Sequence, residues 1–186
     1  MKTHFDIEKL VENGSLTNEL DYERALVADR KLRLLSKEHT QFKSLRLKLR
    51  DIIEVYEKTE WNNVDNITDE KLLESEKYER IADAERIFIE NRKKEIKIKL
   101  KELDLRQEDL AILLGHKSKT HISELINGIK PFTLKDLIII NRLLKVSINN
   151  LIPVYLSEED QLRVKEAVKI LANPKIKLTS ENLLLA

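Results

Sequence analysis

Residues 105–128 read LRQEDLAILLGHKSKTHISELING, and the reading of this stretch decides the fold. Leu110, Ala111 and Leu114 recur at helical spacing behind a polar start, Arg106-Gln107-Glu108-Asp109. The pattern predicts a short helix that Gly115 ends, because glycine takes a positive φ at little cost. A polar turn follows, His116-Lys117-Ser118, in which Ser118 or Thr120 can cap a second short helix. That helix turns Ile122, Leu125 and Ile126 inward and stops at Asn127-Gly128. Its other side carries Lys119, Thr120, Ser123 and Glu124. Short polar side chains at the exposed start of a helix can enter the major groove of DNA without obstruction.

Working outward, Ile96, Leu100 and Leu103 predict a helix just before this pair, packed by one face. After it, Thr133-x-x-Asp136 has the form of a capping box. The helix it opens should turn Leu134, Leu137, Ile138 and Leu144 inward, and Ser147 opens a fifth helix that Pro153 terminates. Residues 93–153 are thus expected to form a five-helix domain.

Residues 1–16 have no clear period and are expected to be a flexible arm. Residues 17–61 predict a helical hairpin. Leu20, Tyr22, Ala25, Leu26, Asp29 and Leu32 lie broadly on one face of its first helix, and Phe42, Leu45, Leu49, Ile52 and Tyr56 form a stripe on its second. A polar connection at Lys37–Thr40 joins the two. The run Asn62-Asn63-Val64-Asp65-Asn66 breaks the period, and a charged helix with a thin stripe (Leu72, Ile81, Ala84, Phe88) follows, so residues 62–92 are expected to be a linker and connecting helix. Residues 154–186 predict a last helix, opened at Ser157-Glu158-Glu159-Asp160 and carrying Leu162, Val164, Val168 and Leu171. It ends at Asn173-Pro174, and the tail finishes in Leu183-Leu184-Leu185.

The fold class read from this is all-α. Only 3 Gly and 3 Pro punctuate 186 residues, which favours long helices over turn-rich sheet. There is no Cys, so thiolate and disulfide chemistry are excluded. No apolar run reaches membrane length, and Met1–Leu10 lacks the basic and apolar regions of a signal peptide. These features predict a cytoplasmic protein. The net charge of +1 hides an asymmetry: Lys and Arg number 16 against 21 Asp and Glu over residues 1–90, but 13 against 7 over residues 91–153. A basic segment is what phosphate binding requires, although a solvated helix face has the same composition. His4, His39, His116 and His121 share no metal-ligand spacing, and no phosphate-cradling glycine loop or nucleophile elbow is present. No cofactor, metal or catalytic residue is expected.

Gln107-x-x-Leu110-Ala111, then Leu114-Gly115, then Ile122-Ser123-Glu124-Leu125-x-Asn127-Gly128, resembles the Cro/cI-type (XRE, lambda repressor-like) helix-turn-helix. The continuation Ile129-Lys130-Pro131-Phe132-Thr133-Leu134 looks like the HigA-type antitoxin branch of that family. Upstream, Leu20-Asp21-Tyr22-Glu23-Arg24-Ala25-Leu26 with Leu49-x-x-Ile52-Ile53-Glu54-x-Tyr56-Glu57 is similar to the hairpin that precedes the domain in HigA-like chains. The resemblance spans roughly residues 17–153.

The resemblance implies that Gln107 bonds a backbone phosphate, and that Lys119, Thr120 and Glu124 occupy the base-reading positions, with Ser118 and Ser123 beside them. Lys117 and Lys130 are then phosphate partners, and Arg106, standing where a Ser or Thr cap is common, would contact a phosphate instead. The turn from Gly115 to Ile122 is about one residue longer than is usual, which leaves the start of the reading helix open between Lys119 and Thr120. Two roles are open for Glu124: accepting from a cytosine amine, or pairing with a cation on the surface. The implied partners are double-stranded operator DNA, a second copy of the chain in a homodimer, and a small HigB-type toxin, with no membrane. Three readings stand: the antitoxin of a HigBA-like pair that represses its own operon, a stand-alone repressor whose hairpin serves dimerisation, and an interaction module without DNA binding.

Overall fold

A computed structural model gives the fold; the residues it describes are 5–37, 40–63, 67–153, 158–173 and 175–176. Among them the chain is entirely helical: α1 (Ile7–Asn13), α2 (Glu19–Leu35), α3 (Gln41–Glu60), α4 (Asp69–Glu102), α5 (Gln107–Leu114), α6 (Lys119–Ile126), α7 (Leu134–Leu144), α8 (Ile148–Leu151) and α9 (Glu158–Leu171). The chain divides into two compact units, Met1–Ile152 and Pro153–Ala186. His4, His39, residues 38–39 of the hairpin connection, residues 64–66 of the linker, Ser157, Pro174 and the leucines at 183–185 lie outside the described residues.

The residues expected to form a flexible arm, 1–16, instead contain α1. Asp6 caps it by accepting from the Lys9 backbone N–H at 3.1 Å, and Gly14 closes it at φ 74°. Ile7 and Leu10, one turn apart, are buried, so this helix is held by tertiary packing that no local period reveals. The hairpin follows as expected, but the faces are sharper than the sequence stripes. The buried residues are Ala25, Ala28 and Leu32 on α2, and Phe42, Leu49 and Ile53 on α3.

Between residues 67 and 114 there is no Gly or Pro, and α4 runs for 34 residues straight through the expected boundary at 92/93. Thr68 caps it, accepting from the Lys71 N–H at 3.2 Å. Its buried stripe is Ala82, Ile89, Arg92, Ile96 and Leu100, one residue on from the expected Ile81 and Phe88, while Leu72 is exposed. The connecting helix and the first helix of the five-helix domain are therefore one element.

Two apolar cores result. One is built from Ile96 and Leu100 of α4 with Leu110, Leu114, Ile122, Leu125, Leu137, Ile140, Leu144 and Leu151, so the expected five helices enclose it. Leu103, Leu134 and Ile138, expected inside, are exposed; on α7 it is Asp136, Leu137, Ile140 and Leu144 that turn inward. The other core joins Ile7, Leu10, Ala25, Leu32, Phe42, Leu49 and Ile53 to Ile129, which comes from the loop after α6. Ile129 also accepts, through its backbone oxygen, from the Ile7 N–H at 3.2 Å. Gly128 beside it holds φ 67°, and a Cβ there would stand 2.5 Å from Ile89 Cγ2, so α4 and the loop approach too closely for any side chain.

Arg92 is fully buried and fixes the same junction from the other side. Its guanidinium lies over Phe88 and Phe132, 5.7 and 5.3 Å from the ring centroids, and Nη1 donates to the Leu151 carbonyl at 3.4 Å. The second unit carries α9, on which Arg163 pairs with Asp160 at 2.7 Å and Leu162, Ile170 and Leu171 are exposed.

Candidate nucleic-acid interface

The short helices α5 and α6 present the candidate site. Arg106 is the N-cap residue of α5, and its backbone N–H donates to Asp109 Oδ2 at 2.7 Å. An arginine side chain has no acceptor to complete a capping box, so its guanidinium stays exposed at the helix start. Gly115 ends α5 at φ 79°, and the turn of His116, Lys117 and Ser118 leads into α6. Ser118 is the cap, its Oγ accepting from the His121 N–H at 3.2 Å. The first residue of α6 is therefore Lys119, which resolves the register left open by the long turn.

Lys119 and Thr120 are exposed at this helix start, and Lys117 is exposed in the turn before it. Lys119 Nζ pairs with Glu108 Oε1 at 2.6 Å across the turn, with both side chains more than half exposed. Such a pair is worth under about 1 kcal/mol in water and can be exchanged for a phosphate. Gln107, Lys119, Thr120 and Ser123 line one recess of about 430 Å3, so the geometry brings these four expected residues together. Asn127, Lys93 and Lys97 line it too, and Leu35 and Gln41 from the tip of the hairpin close its rim.

Ser123 and Glu124 do not stand on the exposed face where the sequence placed them. Both are buried. The Ser123 carbonyl and Oγ accept from Asn127 Nδ2 at 2.8 and 3.2 Å, and Asn127 Oδ1 accepts from Lys93 Nζ at 2.6 Å. Glu124 Oε2 lies 3.4 Å from His121 Nδ1 and 3.0 Å from Lys130 Nζ, and Lys130 reaches on to Glu8 of α1 at 2.8 Å. Burial works against the Lys130 charge, but the hydrogen bonds to Glu8 and Glu124 outweigh it and hold the ammonium above its ordinary range. Of the two roles open for Glu124, pairing with a cation is the one the structure has. Lys130 is engaged by carboxylates from two helices rather than presented for a phosphate.

The capping box at Thr133 is present: Thr133 Oγ1 accepts from the Asp136 N–H at 3.2 Å, and Asp136 Oδ2 accepts from the Thr133 N–H at 2.9 Å. Asp136 Oδ1 also lies 3.2 Å from His116 Nε2, and the His116 ring meets the edge of His121 at 4.8 Å. Hydrogen bonds and ion pairs thus link the α5–α6 turn, α6 and the loop after it to α1 and the start of α7. Sequence reading missed Lys93, Lys97, Leu35 and Gln41, because only the continuity of α4 and the return of the hairpin bring them beside α6. The Lys93, Lys97, Lys101 spacing at every fourth residue was the available signal.

Among the described residues no group of His, Cys, Asp and Glu could hold a metal ion, and no helix is long and apolar enough to cross a membrane. Residues 96–151, which span α5 to α8 and the end of α4, match the Helix-turn-helix family model, under a third of the chain. This segment is similar to helix-turn-helix domains of the XRE type. No curated protein and no solved structure shows significant similarity to the chain.

Proposed function

We propose that the protein is a transcriptional repressor that reads an operator with Lys119 and Thr120, while Arg106, Gln107, Lys117 and Ser118 hold backbone phosphates. The observation that carries this reading is the open N-terminal end of α6, where Lys119 and Thr120 are exposed beside Gln107 in one recess. Base edges carry the sequence information and phosphate contacts set the register. The double variant Lys119→Ala/Thr120→Ala should abolish specific binding to the native upstream DNA in a gel-shift assay against random-sequence competitor, with its circular dichroism spectrum unchanged. Undiminished binding by this variant would remove the reading-helix assignment.

One short helix reads only a few base pairs, so a two-fold homodimer on a palindromic site is part of the proposal. Leu134, Ile138 and Leu143 of α7 and Ile148 of α8 are exposed apolar side chains that a second copy would cover. The HigA-type antitoxin reading refines the same function: the hairpin half is acidic, with 21 Asp and Glu against 16 Lys and Arg over residues 1–90, as suits a basic toxin. Its test is a small toxin-like reading frame beside the gene, whose growth arrest is relieved by co-expression of this chain. If no such neighbour exists, the stand-alone repressor is the reading that holds.

A further inference from the structure

A groove of about 930 Å3 runs between α2 and α4, and basic side chains stand along a largely apolar lining. Arg30, Lys31 and Arg33 of α2 face Lys94, Lys97 and Lys101 of α4 across it. Its two carboxylates, Asp83 and Glu90, are both taken up by Arg86 at 2.7 and 3.0 Å. Among the described residues no ion pair involves any of these six cations. Concentrating so much like charge costs folding energy, and a polyanion offsets it.

The groove is continuous with the recess at α6: Leu35, Lys93, Lys97 and Asn127 line both. A rod of negative charge seated on Lys119 would run on past Lys97 toward Lys101. Val27, Leu34 and Ile98 also line the groove, the kind of surface against which lysine stems pack while their ammonium heads stay in water. No aromatic ring lines it, so there is no platform for the stacked bases of a single strand. On the opposite flank of α6, Lys130 is withdrawn into its pairs with Glu8 and Glu124.

We propose that the α2–α4 groove is a second phosphate-binding surface, holding the backbone of duplex DNA that flanks the half-site read by α6. This rests on the DNA-binding reading above and adds the hairpin to the interface. It assigns α2 and the middle of α4 a role in affinity and none in base recognition. The state of Lys31 agrees with it. Burial, together with the charges of Lys93, Arg92 and Arg86, pushes its ammonium down to about 8 against the opposing pull of Glu90. A phosphate in the groove would restore that proton, so binding should weaken as pH rises through about 8.

The test is the salt dependence of binding by the full chain, read by fluorescence anisotropy on a random-sequence duplex and on the native upstream duplex. Arg33→Gln/Lys94→Gln/Lys101→Gln removes three exposed groove cations that do not line the recess at α6, without touching the core. The slope of log Kobs against log salt should fall by about two to three, at about 0.9 for each phosphate that is no longer neutralised. The ratio of native to random binding should stay as in the parent chain, because phosphates carry no sequence information. Lys119→Ala/Thr120→Ala should do the reverse, collapsing that ratio. Lys31→Met should flatten the decline in affinity between pH 7 and pH 9. An unchanged slope in the triple variant, with the ratio still sensitive to Lys119 and Thr120, would overturn the groove proposal alone and leave an acidic protein surface as its occupant. A parent chain that binds neither duplex would overturn the DNA-binding reading and this proposal together.

Discussion

Gly115 and Gly128 share a positive φ, but their surroundings differ. A Cβ added at Gly115 meets nothing within 4 Å, so Gly115→Ala should cost only the left-handed penalty, about 1 kcal/mol. At Gly128 the added carbon would stand 2.5 Å from Ile89 Cγ2 on α4. Gly128→Ala should therefore cost the same penalty plus that of overpacking, about 2–4 kcal/mol together. Urea unfolding of the two variants measures the difference, and equal costs would mean that α4 yields freely to the loop. Both glycines were legible in the sequence as helix stops. What made Gly128 obligatory was not, because Ile89 is 39 residues away and only packing brings it there. The same distinction separates Lys119 and Thr120 from Glu124 and Lys130. The former pair is exposed because it starts a helix after a polar turn, a local property. The latter pair is engaged because α1 brings Glu8 to Lys130, which no local pattern records.

At the scale of elements, strong periodicity and end signals were readable and short-range contrasts were not. The helices α5 to α8 were visible in Gly115, Ser118, Thr133 and Ser147, each of which stands at the helix end its chemistry predicts. The seven residues of α1 carry too few turns to show a period, and α4 looked like two pieces only because its buried stripe is narrow. The hairpin is closed by a reciprocal clasp: Tyr22 OH donates to Glu57 at 2.9 Å, Tyr56 OH donates to Glu19 at 3.0 Å, and the two rings stack at 4.9 Å. Burial and the adjoining carboxylates push both phenols above their ordinary range, so they stay protonated donors at any physiological pH. Non-glycine residues take a positive φ after three helices: Asp104 after α4, Lys145 after α7 and Ala172 after α9. Lys145 closes α7 with φ 58°, where glycine is the usual residue. Relief of that strain is partly offset by the greater freedom of glycine in the unfolded chain, so Lys145→Gly should raise stability by about 0.5–1 kcal/mol. A higher melting temperature in calorimetry is the expected result, and a lower one would show that the lysine side chain itself contributes.

At the scale of the whole molecule, the hairpin and the helix-turn-helix domain of the first unit are not beads on a linker. They share α4, whose residues Ile96 and Leu100 belong to the domain core, and they share Ile129, a residue of the domain's loop buried in the hairpin's core. The junction is further tied by Arg24, which reaches from α2 to Glu85 of α4 with Nε–Oε2 2.8 Å and Nη2–Oε1 2.5 Å. Coupling of this kind predicts a single cooperative transition rather than two. It can be read with the one tryptophan in the sequence, Trp61, which caps the far end of α3 and so reports on the hairpin half. Leu137→Ala removes a fully buried side chain from the core of the helix-turn-helix domain and should destabilise by about 2–4 kcal/mol. If the two halves fold as one, this change in the helix-turn-helix half must move the Trp61 fluorescence transition to lower urea by the same amount as the helical signal of the chain. A Trp61 transition that stays in place while the helical signal splits in two would mean that the halves fold separately. The hairpin tip would then not be held rigidly beside α6, and the continuity of the groove with the recess at α6 would lose its structural basis.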